Sequence, residues 1–301
     1  MKKQTLYVIS GVAIVTLACT FGGWAGMGTP TTPTQVPVDP VGTVVAATMQ
    51  ALLTAAPTQT VPAQAPSQIS GTPVRCENVS FVLPSGVASG ANPEAVPAVS
   101  EESGGPWEVA PAHVKCTLTG YQLQAKFHEP GIFVYPADEY AQAHPSAAEQ
   151  INRIQKILTG FTPMKETLPN VPFFNAGSLI AANIKLISFQ SGNGVRALTQ
   201  YAQYSAPINN RELFYHFQGL TSDNKYYVIA ILPITAPMLP EDEKPEAAVP
   251  PDGVPLPTDI GPNEVYYFSV TEKLNALAPD SYTPSLDALD LLIQSILVTN
   301  S

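Results

Sequence analysis

The chain predicts an α+β domain, a mainly antiparallel sheet packed with helices, carried behind an N-terminal leader and a nearly uncharged stalk. Three observations carry this. Apolar and β-branched runs follow one another across residues 179–234 with short turn signals between them, the arrangement that joins consecutive antiparallel strands. Two segments, residues 146–158 and 284–297, instead space their apolar residues as one helical face. Residues 20–68 hold a single ionisable side chain, Asp39, among prolines, threonines and alanines, a composition that buries too little surface to offset the entropy of ordering.

Residues 1–19 read as an export leader. Lys2 and Lys3 precede an apolar run from Leu6 to Cys19, the layout of a signal segment. The positive end stays inside while the apolar run enters the bilayer. Thr16-Leu17-Ala18-Cys19 resembles the lipobox of bacterial lipoproteins, which implies that Cys19 is acylated and becomes the new N-terminus. Leu6 to Met27 is also just long enough to cross a hydrocarbon core of about 30 Å, so an uncleaved anchor stays open, as does ordinary signal cleavage. Each route delivers the rest of the chain outside the cytoplasm. The first two attach it to the membrane, by a lipid or by an N-terminal anchor. Residues 20–72 then form a flexible stalk, biased by proline toward extended polyproline II. Residues 41–56 lack proline and read as a short helix within it, with Val44, Met49, Leu52 and Leu53 as its apolar surface.

Residues 73–301 read as one extracytoplasmic domain, long enough for a sizeable core. Val79-Ser80-Phe81 starts a strand. Residues 82–111, rich in Gly, Pro, Ser, Ala and Glu, read as a long surface loop. Residues 114–118 and 121–127 alternate on either side of Gly120 and predict a hairpin. GIFVY, residues 131–135, is a compact strand. Ser146 and Glu149 suit a capping box for a helix whose Ile151, Ile154, Ile157 and Leu158 share one face, and Gly160 suits its end. Strands at 179–189 and 195–201 flank the turn Ser191-Gly192-Asn193-Gly194; strands at 212–220 and 225–234 flank Thr221-Ser222-Asp223-Asn224. Residues 235–262 form a second long loop, since nine prolines between 233 and 262 exclude both helix and central strand. Residues 263–277 read as helix. Thr283 as cap and Pro284 at the first helical position open a last helix. Its stripe of Leu286, Leu289, Leu292, Ile293, Ile296 and Leu297 closes the core against the sheet.

The paired strands ending in KYYVIAILPI (225–234), the proline-bearing excursion and the final helix LDALDLLIQSILV (286–298) resemble the α/β/α sandwich of the PsbP and Mog1 families, over about residues 110–298. That resemblance implies a non-catalytic assembly or interaction protein and passes on no catalytic residue. The stretch from Gly194 to Ile234 is also similar to bacterial lipoproteins with the same signal-plus-stalk layout.

With Cys19 assigned to lipid, Cys76 and Cys116 remain as an even pair. A disulfide between them would close a loop of 39 intervening residues and contribute about 3–4 kcal/mol. Two buried free thiols are the alternative, and a zinc site with His113 a third. There is no Cys-x-x-Cys spacing for redox catalysis. The acidic loop (Glu241, Asp242, Glu243, Glu246, Asp252 and Asp259) lacks the regular spacing of an EF-hand calcium site. No metal or cofactor is assigned.

The four histidines show no ligand spacing. No Gly-x-Ser-x-Gly elbow or phosphate-cradling loop occurs. The weak catalytic candidates are His128, Glu129, Glu212 and His216. Tyr201, Tyr204, Tyr215, Tyr226 and Tyr227, with Phe214 and Phe217, form an aromatic set in or beside neighbouring strands; it suits a ligand or partner surface, because tyrosine joins a flat apolar body to a hydroxyl. Fourteen basic against 24 acidic residues, with no basic stripe, exclude nucleic acid as a partner. The favoured function is a tethered, non-catalytic domain that binds an envelope protein or a small ligand. The alternatives are a hydrolase or transferase assembled from dispersed residues, and a structural envelope component.

Overall fold

A seven-stranded antiparallel sheet organises the domain. The computed structural model describes residues 70–244, 246–257 and 263–300; the leader, Cys19, most of the stalk and the helix expected at 41–56 lie outside the described residues. The chain first makes β1 (Thr72–Cys76) and β2 (Val79–Leu83), a hairpin that belongs to a separate small sheet. It then enters the main sheet through β3 (Gly90–Val96), β4 (His113–Thr119) and β5 (Gly131–Pro136). Helices α1 (Ala137–Ala143) and α2 (Pro145–Leu158) follow directly. After β6 (Gly177–Ser178) come β7 (Ala182–Phe189), β8 (Gly192–Thr199) and β9 (Tyr201–Ala202). Next are β10 (Phe214–Thr221) and β11 (Tyr226–Pro233). The chain ends in α3 (Glu264–Ala276), α4 (Leu286–Gln294) and β12 (Leu297–Val298).

The main sheet has the order β3-β4-β5-β11-β10-β8-β7. β11 therefore closes the molecule by pairing with β5, far back in sequence. β12 returns to pair with β2, and β6 pairs with β9 in a two-stranded clip. Alternation along the central strands sends side chains into two cores. Tyr215 and Phe217 of β10, Val228, Ala230 and Leu232 of β11, and Ile132 and Val134 of β5 meet α3, α4 and the small sheet. Phe214, Leu220, Tyr227, Ile229, Ile231 and Tyr135 meet α1 and α2. The result is a mixed α+β fold layered, in general terms, as helices, sheet, helices. β10 is buried on both faces along its whole length, the polar His216 and Gln218 included.

Several local expectations change. Residues 82–111 are not all loop, since β3 lies among them as the edge strand beside β4. Pro93 blocks further pairing on that edge. Residues 121–127 form no strand, so the hairpin at Gly120 does not exist; Gly120 turns the chain with positive φ and β4 pairs instead with β3 and β5. α2 is capped by the His144 side chain, which accepts from the Ser146 backbone N–H. Glu149 instead reaches forward to Arg153. α4 is capped by Ser285, not Thr283. The β7–β8 turn falls on Gln190 and Ser191, one step before the predicted glycines. Gly192 and Gly194 lie in β8, where a Cβ would collide with the Leu220 carbonyl and with the Phe217 ring and Gln218 carbonyl. They are packing glycines, needed for the close approach of β10.

Candidate functional site

Five stretches meet at one end of the main sheet, on the face that α2 covers. There β8 ends at Thr199, β10 begins at Phe214 and β5 begins at Gly131. The segment before β5 brings Phe127 and His128. The segment after α2 brings Phe174, Asn175 and Ala176. β9 and its continuation bring Tyr201 and Tyr204, and Glu212 stands just before β10. Glu243 of the acidic loop reaches the same place. Together they line a cavity of about 410 Å³, within the range of about 300–1,000 Å³ common for small-molecule sites.

Backbone and amide contacts hold this arrangement. The Phe127 N–H donates to the Arg211 carbonyl at 2.9 Å. The fully buried Asn209 accepts from the N–H groups of Arg211 and Glu212 through its Oδ1, a side-chain turn that fixes the approach to β10. Gln200 Nε2 donates to Glu212 Oε2 at 3.0 Å, with the Asn209 amide at 3.4 Å. The β6–β9 clip presents Tyr201.

The walls are aromatic. Phe174 lies 4.8 Å from Tyr201 and 5.2 Å from His128, centroid to centroid, and His128 lies 4.3 Å from Phe214. Such tilted and edge-on contacts are the favoured geometries of rings. Phe127 and Tyr204 remain 62% and 61% exposed, well above the exposure of core aromatics. Burial lowers His128 from 6.5 to about 4, so it is neutral at pH 7. Burial raises the Glu212 carboxyl, and the nearby charge of Glu243 raises it further, against the opposing effects of Asn209 and Arg211. The Tyr204 hydroxyl donates to Glu243 and is pushed up to about 12, chiefly by that bond.

A second, smaller cavity of about 120 Å³ adjoins, with Tyr201 in the walls of both. Its floor is Thr199, His216 and Gln218, and Arg153 and Lys165 stand in its lining. His216 Nε2 donates to the Val171 carbonyl at 2.8 Å, which fixes the tautomer. Burial lowers it to about 4. Gln218 bonds Val171, Pro169 and Tyr227, tying the 169–171 segment to the sheet. This space suits water rather than an organic ligand.

Among the residues singled out from sequence, His128, Glu212, Tyr201 and Tyr204 converge on the larger cavity and His216 lies in the adjoining one. Glu129 is exposed and bound to Lys115 at 2.7 Å. Tyr215 points to the other face, where its hydroxyl donates to Asp290; Tyr226 is half-buried against that same core. Tyr227 is fully buried beneath α1 and α2. Sequence reasoning missed Phe127, Phe174 and Glu243. Only the exposed aromatic next to His128 left a local signal; Phe174 and Glu243 arrive from loops.

Cys76 and Cys116 are buried side by side as free thiols, 2.7 Å apart at closest. A hydrogen bond from Cys116 lowers Cys76, while that bond and burial raise Cys116. His113 is on the opposite face of β4, stacked on Tyr135 at 4.1 Å. Among the described residues no three His, Cys, Asp or Glu side chains gather to hold a metal ion, and no helix is long and apolar enough to cross a membrane. Comparison with protein-family models, curated proteins and solved structures found no match.

Proposed function

We propose that this chain is a membrane-tethered, extracytoplasmic, non-catalytic domain that binds a small ligand in the aromatic cavity, and that its layered fold is a PsbP/Mog1-like sandwich. The observation that carries the binding reading is the convergence of Phe127, Phe174, Tyr201 and Tyr204 on a cavity of about 410 Å³, two of these rings standing largely in solvent. Four rings supply apolar contact and few protons. The leader and stalk support the tether, and helices on both faces of an antiparallel sheet support the family-level fold.

Acid–base chemistry fits less well. A general base works best with a pKa near the working pH, and His128 is held at about 4. His216 has its Nε2 committed to the Val171 carbonyl. Glu129 is directed to Lys115, so the acid that follows His128 in sequence is not its partner.

The test uses the full-length chain in detergent and saturation-transfer NMR with a library of small aromatic fragments. Hits that disappear in Tyr201→Ala support the reading. Absence of any hit sensitive to that substitution sinks it. Turnover of chromogenic ester or phosphoester substrates, abolished in His128→Ala, would instead establish the hydrolase reading.

A further inference from the structure

We infer that the aromatic cavity selects a cation, a small molecule that joins an ammonium group to an apolar body; this rests on the binding reading above and names its ligand class. Two carboxylates reach a space otherwise walled by rings. Glu212 is half-buried, and the hydrogen bonds it accepts from Gln200 and Asn209 both fall on Oε2. Glu243 accepts the Tyr204 hydroxyl. Among the described residues neither carboxylate has an ion-pair partner, although the lysines nearby in sequence do: Lys126 pairs with Glu241 and Lys244 with Asp242. Arg211, next to Glu212, is exposed and offsets only part of the negative charge.

Two like charges beside a partly dehydrated cavity disfavour each other, and a bound cation relieves both. The rings add to this. An ammonium group within about 6 Å of an aromatic face is attracted by the ring quadrupole, more strongly when desolvated. Phe127, Phe174, Tyr201 and Tyr204 provide such faces around the carboxylates. A neutral ligand would gain the apolar contact alone. An anion would meet Glu212 and Glu243 with no cationic side chain in the lining to offset them, since His128 is neutral at pH 7. The adjoining cavity, which contains Arg153 and Lys165, is too small to redirect the choice.

The experiment titrates the full-length chain in detergent with phenethylamine, 2-phenylethanol and 3-phenylpropionate, by calorimetry at low and high salt. The amine should bind about tenfold or more tighter than the alcohol and lose part of that advantage at high salt, and the anion should bind weakest. Glu212→Gln/Glu243→Gln should erase the preference while leaving the alcohol's affinity in place. Equal affinity for amine and alcohol, both lost in Tyr201→Ala, overturns the cation inference and leaves the binding reading standing. Failure of all three probes, or binding indifferent to Tyr201→Ala, overturns both.

Discussion

His128 shows how one residue ties the cavity to stability. It sits among Phe127, Phe174 and Phe214, and burial lowers it to about 4. His216 is lowered to about 4 as well, mainly by burial and slightly by His128. In the unfolded chain both titrate near 6.5. Between these values the unfolded state binds more protons, so the stabilisation is fully present above about pH 6.5 and is lost as pH falls toward 4. From pH 7 to pH 5 this amounts to roughly 2 kcal/mol for each histidine. Glu212, raised by burial, titrates in the opposite sense, but equally in wild type and variant. His128→Phe keeps an aromatic in an aromatic setting and removes one of the three histidines that burial lowers, His113 being the third. Urea midpoints measured at pH 7 and pH 5 should therefore shift less in the variant than in wild type, by about the contribution of one histidine. An unchanged shift would show that His128 is not held neutral by the fold.

At the scale of elements, α4 is fixed to the sheet by charge as well as by its leucines. Asp290 is 3% exposed and meets Arg196 of β8 at 3.1 Å, Lys185 of β7 at 2.8 Å and the Tyr215 hydroxyl of β10 at 2.9 Å. Removing Asp290 leaves the buried Arg196 without its counter-charge, and a buried charge left unpaired costs about 3–5 kcal/mol. Asp290→Ala should lower unfolding stability by that amount. The double variant Asp290→Leu/Arg196→Met, which replaces charge by apolar volume, should recover most of it. A double variant no more stable than the single one would mean that Arg196 is not stranded by the loss. Nothing in LDALDLLIQ marks Asp290 as an anchor: it follows the apolar Leu289 on a stripe that periodicity assigns wholly to packing. The apolar elements themselves were legible. GIFVY, the β10–β11 hairpin and both long helices stand close to where pattern places them, because their burial is encoded locally. What failed was contextual. Gly192 and Gly194 carry a turn signal, yet β10 lies too close to admit a side chain. β3 hides in a Gly-Ala-Asn-Pro-Glu run because an edge strand needs only one partner. The cavity was half legible. His128, Glu212, Tyr201 and Tyr204 stood out as residue types, whereas Phe174 and Glu243 join them only through the chain's path back to the same sheet end.

For the whole molecule, the distribution of three cysteines predicts how the domain is held together and how it is held to a surface. Cys76 ends β1 in the small sheet, and Cys116 lies mid-strand in β4 of the main sheet. A bond between them would staple the two sheets and close a long loop, for about 3–4 kcal/mol. The hydrogen bond from Cys116 favours the thiolate at Cys76, the form that attacks. Formation would transfer two electrons and release two protons to a disulfide-bearing oxidant, whose own disulfide becomes two thiols. Cys19, acylated through its sulfur, would leave no third thiol. One count reads both expectations. Iodoacetamide added in denaturant without reductant should label no cysteine of the native protein extracted from membranes, and two after reduction. Two labels before reduction would sink the staple. Three after reduction would show Cys19 as a free thiol and sink the lipid, leaving the uncleaved apolar run as the anchor. Zero then two, in a protein that leaves the membrane fraction without detergent, would instead mean that the leader is cut beyond Cys19 and the domain is released. Staple and tether can thus fail separately, since the first depends on a contact inside the fold and the second on residues 1–27, outside it.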